Sequence, residues 1–381
     1  CCTNYAYAGG QYTALDGQTA MPVGHYVYAE NLAYEQGAVE GTLEAMRYFS
    51  ETFGEYPFLT EKYVTATHED TAGMEHQTCT SMPPNDVGPD GRGRRNIHEL
   101  AHAWFGDMVT MDHFDHLWLN EGWATYCEAL YYGWKNGPAA YHSTVAGWIT
   151  SGISNTTALV NPNADNFSGS VVYRRGAMVL HMLRHVVGDE NFFEAARDYL
   201  QDHAYATALT PDLQAACEAR YGASLDWFFQ EWVYRAGRPT YAFSWNVATG
   251  PGGPFLQLTV NQTQTAAVYT MPIDIRVRDL QGRTRDYVIW NDSKSQTFQL
   301  PLGDFQPLEV QFDPDYWIYK AMASSTTAPL PILESVRSVS GGQAAEIRWR
   351  SGGAATTGYM LIRSVDLNNW TIVAGAETLT A

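Results

Sequence analysis

The sequence predicts an α+β multidomain chain in which a helix-rich domain comes first and strand-rich domains follow. The prediction depends on a change in the spacing of apolar residues. Up to about residue 238 they recur at helical spacing, as in Val39, Met46, Phe49 and Phe53. Beyond that point they alternate with polar residues, which is the period of a half-buried strand.

Helix signals continue through the first domain, residues 1–238. The stretches around two polar motifs described below are both predicted to be helices. Thr210 followed by Pro211 is typical of a helix start, and Ser224 is predicted to open a further helix that ends by Gly237. We therefore expect several packed helices before residue 238.

The next domain, residues 239–322, is predicted to be a small β-sandwich. About six strand-like runs are separated there by turns rich in Gly, Pro, Asn and Asp. Two runs alternate most clearly, and their apolar members are Ile273, Ile275 and Val277 in one and Leu308, Val310 and Phe312 in the other. Each set is expected to face a core.

Residues 323–331, rich in Ser, Thr, Ala and Pro, are predicted to be a linker. After it, residues 332–381 contain two runs, Glu346–Trp349 and Gly358–Arg363, that resemble the early strands of a fibronectin type III module. A two-sheet module of this kind needs about 100 residues, roughly twice what remains. We therefore expect a partial fibronectin type III-like module.

The most informative motif is HELAH at residues 98–102, followed after eighteen intervening residues by Glu121. Residues four apart on a helix share a face, so His98 and His102 can present two imidazoles to one metal ion. Glu121 would be the third ligand. Three protein ligands leave a fourth position for water, and Glu99 can take a proton from that water. The spacing predicts a catalytic zinc site.

Other metal sites fit the sequence less well. A site with a third histidine would need Gly and His where the chain has Phe105 and Met108, so that class is excluded. His181 and His185 are also four apart on a predicted helix, but no glutamate follows His181. We interpret that pair as structural.

Two stretches around the predicted ligands, HELAHAWFGDMVT at residues 98–110 and WLNEGWATY at 118–126, resemble the aminopeptidase N family of zinc metallopeptidases. Upstream, AGMEH at residues 72–76 is similar to the GAMEN exopeptidase motif of that family. Downstream, YRRG at residues 173–176 is similar to its Tyr-x-Lys-Gly segment. The resemblance spans roughly residues 20–238 and looks nearest to secreted bacterial members.

The resemblance implies a thermolysin-like gluzincin catalytic domain that binds one Zn²⁺ through His98, His102 and Glu121. It implies that Glu99 is the general base toward a zinc-activated water. It also implies that Tyr173 stabilises the oxyanion as the peptide bond is attacked.

The same resemblance implies which residues hold the substrate. Glu75 would bind the free α-ammonium, with Gly73, Met74 and His76 completing the segment. The expected reaction is hydrolysis of the N-terminal peptide bond of peptides with a free N-terminus. His76 stands where most members have Asn, and Arg175 replaces the usual Lys, which keeps the charge but not the shape.

Family members also carry an N-terminal β-domain before the catalytic one, and this chain starts almost directly at the latter. We expect that domain to complete the active-site cleft. The sequence has no apolar run long enough to span a bilayer. Fibronectin-type modules are common on exported enzymes, so we expect a secreted or cell-envelope protein, of bacterial type by the resemblance.

A formal net charge of −18 argues against nucleic acid as a partner, because phosphate binding needs concentrated Lys and Arg. Two other functional classes stay open. One is a related zinc hydrolase with endopeptidase or epoxide hydrolase activity. The other is a binding protein whose zinc site is catalytically silent. The five cysteines form no CxxC pair, and we assign no disulfide.

Overall fold

The computed structural model describes residues 4–160, 169–279, 281–322, 332–339, 344–350, 362–364 and 370–372. It divides into two units, which meet in sequence between Gly237 and Arg238. Within the described residues there are nine α-helices and several sheets, so the predicted mixed α+β class is confirmed.

The first unit opens with a four-stranded sheet that the sequence pattern did not predict. Its strands, in their order across the sheet, are β1 (Tyr5–Thr13), β2 (Ala20–Tyr28), β3 (Tyr63–Thr67) and β4 (Cys79–Met82). Strand β1 pairs antiparallel with β2, whereas β3 is parallel to both of its neighbours. A parallel pair needs a long crossover. The segment between β2 and β3 supplies it.

That crossover contains α1 (Leu32–Glu35) and α2 (Ala38–Phe53). The apolar face predicted for α2 is confirmed, because Val39, Met46 and Phe49 are all buried. The helix ends at Gly54, whose φ of +110° is a conformation that residues with side chains rarely adopt.

The rest of the first unit is mainly helical. Its helices are α3 (Arg94–Ala101), α4 (Trp118–Asn136), α5 (Pro138–Thr150), α6 (Gly176–Val187), α7 (Asp189–Asp202), α8 (Thr210–Tyr221) and α9 (Asp226–Trp232). A short parallel pair consists of β5 (Val109–Met111) and β6 (Ala206–Ala208). A seven-residue π-helix, Gly169–Arg175, leads directly into α6.

Helix α4 lies at the centre of this unit and is buried without a break from Trp118 to Tyr131. Aromatic rings surround it. Trp123 stacks on Phe105 with ring centroids 4.2 Å apart, and Phe53 meets Trp123 edge-on at 6.0 Å. A helix buried all round can present polar side chains to an enclosed cleft, because the packing fixes its position.

The ends of the later helices differ slightly from the prediction. Helix α8 begins at Thr210 with Pro211 in its first turn, as expected. Helix α9 ends at Trp232, not at Gly237. The reason is that the Val233 carbonyl accepts hydrogen bonds from the backbone of residues 159 and 160, which satisfies it without a further helical turn.

Up to residue 322, the second unit contains two sheets. Its strands are β7 (Thr240–Gly250), β8 (Gly253–Gln262), β9 (Met271–Asp279), β10 (Thr284–Asn291), β11 (Ser295–Pro301), β12 (Pro307–Phe312) and β13 (Ala321–Met322). One sheet has the order β10-β9-β12 and the other β11-β8-β7-β13. Phe243 of β7 stacks on Phe312 of β12 with centroids 5.3 Å apart, so the sheets face each other.

The alternation predicted for this region is right for β9, where Ile273, Ile275 and Val277 are all fully buried. It is wrong at Leu308, which is 39% exposed. A register shift between residues 307 and 309 interrupts the pairing of β12 with β9 and breaks the alternation there.

Four further strands follow: β14 (Ile332–Val339) pairs antiparallel with β15 (Ala344–Arg350), and β16 (Ile362–Ser364) with β17 (Trp370–Ile372). The first predicted run, Glu346–Trp349, lies within β15. Most of the second run and the linker 323–331 lie outside the described residues. The fibronectin type III assignment and the domain boundaries stay predictions.

Candidate active site

A cleft of about 1230 Å³ in the first unit brings together residues from all four sequence motifs. The predicted site residues that line it are Gly73, Met74, Glu75, His98, Glu99, His102, Glu121 and Tyr173. His76 is not a lining residue of this cleft; its exposed ring pairs with the Ser81 hydroxyl at 3.0 Å.

The three predicted metal ligands converge at one end of the cleft. His98 Nε2 lies 3.2 Å from Glu121 Oε2 and 3.2 Å from His102 Nε2, and His102 Nε2 lies 3.4 Å from Glu121 Oε2. His98 and His102 come from successive turns around the end of α3, whereas Glu121 comes from the first turn of α4. All three side chains are buried.

This triangle has the size that a zinc ion requires. A tetrahedron with metal–ligand bonds of about 2.0–2.1 Å has edges of about 3.3–3.4 Å. The sides measured here are 3.2, 3.2 and 3.4 Å. Two imidazoles and one carboxylate are also a donor set typical of catalytic zinc. Size and chemistry therefore both fit zinc.

The outer nitrogen of each imidazole has its own partner. His98 Nδ1 lies 2.9 Å from Glu128 Oε1, and His102 Nδ1 lies 2.9 Å from the Phe105 carbonyl oxygen. When each Nδ1–H donates to these oxygens, each Nε2 is left with a lone pair toward the centre of the triangle. Both rings are thus oriented as metal ligands.

Glu128 is a site residue that the sequence interpretation missed. It is 4% exposed and also forms an ion pair with Arg94. A signal was available, because Glu128 follows Glu121 by seven residues, or two helical turns, and so lies on the same face of α4. The two carboxylates of this helix contact opposite nitrogens of the His98 ring.

The crowding of these groups shifts their pKa values. Burial alone would lower the pKa of both imidazoles, but the neighbouring carboxylates raise it, to about 9 for His98 and about 10 for His102. Burial alone would raise the pKa of Glu121, but the charge of His102 and hydrogen bonds from both rings hold it well below its usual range. These shifts show that the cluster of two imidazoles and a carboxylate favours positive charge, which can be supplied by protons or by a metal cation.

Glu99 follows His98 on α3 and is 6% exposed. Burial raises its pKa, while the charges of His98 and His102 lower it in part. A carboxylate oxygen of Glu99, one of Glu75 and a ring nitrogen of His102 all lie within 4.8 Å of one another. Glu75 therefore points toward the same end of the cleft as Glu99 and His102.

Glu75 sits on a short hairpin. Met74 and Ser81 exchange two backbone hydrogen bonds, of 3.0 and 2.9 Å, and the turn between them contains Thr78 at a φ of +59°. The neighbouring Gly73 lies very close to Glu99. A Cβ on residue 73 would lie 2.1 Å from Glu99 Oε1. Residue 73 therefore cannot carry a side chain while Glu99 stays in place.

Tyr173 lies on the π-helix and stacks on His98, with ring centroids 5.8 Å apart and planes 15° from parallel. Burial, followed by the charge of Glu121, raises the pKa of its hydroxyl well above the usual range, so the hydroxyl keeps its proton. A protonated phenol next to the ligands can donate a hydrogen bond.

Two glycines allow the Tyr173 segment to approach α4. A Cβ on Gly122 would lie 3.0 Å from Gly176 Cα, and a Cβ on Gly176 would lie 2.9 Å from Gly122 Cα. The backbones of α4 and α6 are therefore in direct contact. This contact explains why glycine follows both Glu121 and the Tyr173 segment.

Arg175, which replaces the usual Lys, is completely buried and is not part of the cleft lining. Its guanidinium donates to the carbonyl oxygens of Thr157 at 2.5 Å and Arg235 at 2.7 Å. The residue therefore fixes the end of the π-helix to two loops.

The family model described as the peptidase family M1 domain matches residues 37–232, about half of the chain. The chain belongs to peptidase family M1. The resemblance to the aminopeptidase N family is thereby confirmed. The matched region includes all four motifs that line the cleft.

Curated relatives of this M1 chain are aminopeptidases. Aminopeptidase N of Streptomyces lividans is 29% identical over 248 residues, which are 58% of this chain and 29% of the relative. Alanine/arginine aminopeptidase of Saccharomyces cerevisiae is 28% identical over 311 residues, 75% of this chain and 36% of the relative. Aminopeptidase M1 of Arabidopsis thaliana is 36% identical over 152 residues, 37% of this chain and 17% of the relative.

The M1 chain therefore spans about a third or less of the length of these relatives. A solved structure, Legionella pneumophila aminopeptidase A in complex with aspartic acid, matches with a TM-score of 0.72 at 18% identity. The match covers 84% of this chain and 38% of that one, and it shows a shared fold. Within the described residues, no helix has both the length and the apolar character needed to cross a membrane.

Proposed function

We propose that this M1 chain carries the catalytic domain of a zinc-dependent aminopeptidase, with His98, His102 and Glu121 as the metal ligands. The observation that supports this most directly is the triangle of ligand atoms, with sides of 3.2, 3.2 and 3.4 Å. When bound, zinc would supply Lewis acidity, polarising the scissile carbonyl and lowering the pKa of water.

The chain's own residues move the proton and hold the developing charge. Glu99 accepts a proton from the attacking water as the new C–O bond forms, and it delivers that proton to the amine as the C–N bond breaks. The Tyr173 hydroxyl donates a hydrogen bond to the carbonyl oxygen as negative charge develops on it. Both side chains line the same cleft.

Glu75 selects the substrate's end. The carboxylates of Glu75 and Glu99 lie close together in the cleft, so a substrate ammonium is attracted here and relieves their mutual repulsion. Because Glu75 lies beside Glu99, an ammonium bound to it leaves only the first peptide bond within reach of the base. This arrangement favours an aminopeptidase over an endopeptidase.

The proposal is tested with alanyl p-nitroanilide and its N-acetylated form. We expect the free amine to be hydrolysed about ten- to a hundredfold faster, because a hydrogen-bonded ion pair contributes about 1.5–3 kcal/mol and also sets the register. Glu75→Ala should remove most of this preference.

Glu69→Ala is the matched control, since Glu69 is an exposed carboxylate six residues away that does not line the cleft. Equal hydrolysis of both substrates would contradict the aminopeptidase assignment in favour of an endopeptidase. No hydrolysis by zinc-loaded protein would favour a catalytically silent binding protein.

A further inference from the structure

A second, smaller cavity of about 280 Å³ adjoins the cleft and has no part in the catalytic proposal. Arg94 and Arg174 line both cavities. The other walls come mainly from α5, which contributes Ser143, Thr144 and Trp148. No Asp or Glu lines this smaller cavity within the part of the chain that the structure describes, so its charge is positive.

The two arginines differ in how their charge is used. Arg94 is paired with Glu128, which lies behind it against His98. Arg174 makes no hydrogen bond or ion pair to any described residue, although it is only partly exposed. The cavity thus has one guanidinium, that of Arg174, with no acidic partner among the described residues.

The contacts of two faces of α3 indicate where this cavity lies relative to Glu75, the residue proposed to bind the substrate ammonium. On one face, Arg95 and Glu99 are one turn apart and both approach Gly73, as a Cβ on Gly73 would lie 3.0 Å from Arg95 Cδ. On another face, Arg94 and His98 are one turn apart and both contact Glu128. The Gly73–Glu75 hairpin and Arg94 therefore lie next to different faces of α3.

Arg174 belongs to the same side as Arg94. It follows Tyr173 in the π-helix, and the ring of Tyr173 stacks on His98. A peptide that is anchored by its ammonium at Glu75 passes Glu99 and the ligand triangle at its first peptide bond. We expect the residues after that bond to extend toward Arg94 and Arg174, which line both the cleft and the smaller cavity.

We propose that Arg174, with Arg94, binds a carboxylate located on the leaving-group side of the scissile bond, so that the enzyme prefers substrates with a negative charge there. The inference rests on the proposed aminopeptidase function. A guanidinium matches a carboxylate with two parallel hydrogen bonds, and the Ser143 hydroxyl of α5 can donate to the same group. The carboxylate can come from the C-terminus of a short peptide or from an acidic side chain.

Two pairs of substrates distinguish these sources. Ala-Ala-Ala is compared with its C-terminal amide, which differs only at the terminal carboxylate. Ala-Asp-Ala amide is compared with Ala-Asn-Ala amide, which differ only at one side chain. We expect kcat/KM to be at least about tenfold higher for the charged member of one pair, and that pair identifies the source.

Arg174→Gln should reduce this ratio to below about threefold, and Arg174→Lys should keep part of it because the charge remains. Arg95→Gln is the matched control: it removes the same charge from the same cleft, but on the Gly73 side, where Arg95 pairs with Asp86. The ratio should be unchanged in that variant.

Two results would overturn the inference: ratios close to one in both pairs for the unmodified protein, or a ratio that Arg174→Gln leaves intact. The first comparison needs no variant and so does not depend on how Arg174→Gln folds. Alanyl p-nitroanilide carries no carboxylate and serves as the reference. Failure to hydrolyse it would count against the aminopeptidase function, whereas hydrolysis without charge preference would count only against this carboxylate site.

Discussion

His98 is contacted on every side by a group with a chemical role. Its Nε2 faces Glu121 and His102, its Nδ1 faces Glu128, and its ring face packs on Tyr173. Glu128 is the partner most open to test, since it touches the metal site only through this imidazole. A negatively charged carboxylate that accepts a hydrogen bond from Nδ1–H makes the opposite ring nitrogen a stronger electron donor to a metal.

Replacing Glu128 with Gln should weaken zinc binding by about tenfold or more, because the amide can still accept a hydrogen bond but has no charge. Competition with a chromophoric chelator measures the change. Arg94→Gln is the comparison, as it removes the other partner of Glu128 and leaves the contact with His98. If Glu128→Gln binds zinc as tightly as the unmodified protein, Glu128 has only a packing role.

The spacing of His98, Glu99 and His102 could be predicted from the sequence because it is fixed within one helix. Glu128 follows from the same rule applied to α4, two turns after Glu121, so it too was within reach of the sequence. The surroundings of Arg175 could not be predicted in this way. Its partners are carbonyl oxygens of distant loops, and only the fold brings those together.

At the scale of elements, the contact between α4 and α6 sets the geometry of the site. Glu121 lies next to Gly122 on one helix, and Tyr173 lies three residues before Gly176 at the start of the other. The two backbones touch at Gly122 and Gly176. The distance between Glu121 and the Tyr173 hydroxyl therefore depends on the lack of a Cβ atom at both glycines.

Gly176→Ala should lower the free energy of unfolding by about 1–3 kcal/mol, since its Cβ would overlap with α4. It should also lower kcat, because the helices separate and Tyr173 moves. Denaturant titration and steady-state kinetics measure the two effects.

Gly147→Ala in α5 is the control for stability, because a Cβ there meets nothing within 4 Å and alanine is favoured in a helix by about 0.5–1 kcal/mol. Unchanged stability and kcat in Gly176→Ala would show that the helices can adjust and that the glycine contact does not position Tyr173.

Sequence periodicity predicted α2 and β9 well, because each has one apolar face along its whole length. It did not predict the opening sheet. The residues of β3 are buried on both sides, so they show no alternation, and the pairing of β2 with β3 joins segments far apart in sequence. It also predicted wrongly that Leu308 faces a core. The register shift in the pairing of β12 with β9 cannot be detected from the order of apolar and polar residues.

For the whole molecule, the proposed ligand triangle would link metal binding to stability. Three buried groups meet at this point, two of them at the end of α3 and one on α4, and a metal ion would join the two helices. A ligand present at about 100 times its Kd stabilises the folded state by about 2.7 kcal/mol.

We expect removal of zinc by a chelator to lower the Tm by about 5–10 °C, the shift that such an energy produces in a unit of this size. Scanning calorimetry with and without added zinc measures the difference. Glu99→Gln should keep the zinc-dependent shift, whereas Glu121→Gln should lose most of it. A Tm that zinc does not change would contradict the proposed ligand set.

The contact between Gly73 and Glu99 also has a consequence for engineering the enzyme's selectivity. Residue 73 is a poor position to vary, because a larger residue would displace the Glu99 carboxylate. Met74, on the same hairpin, is 44% exposed and lines the cleft. A library directed at position 74, with position 73 fixed, can therefore vary what the enzyme accepts while its chemistry is retained.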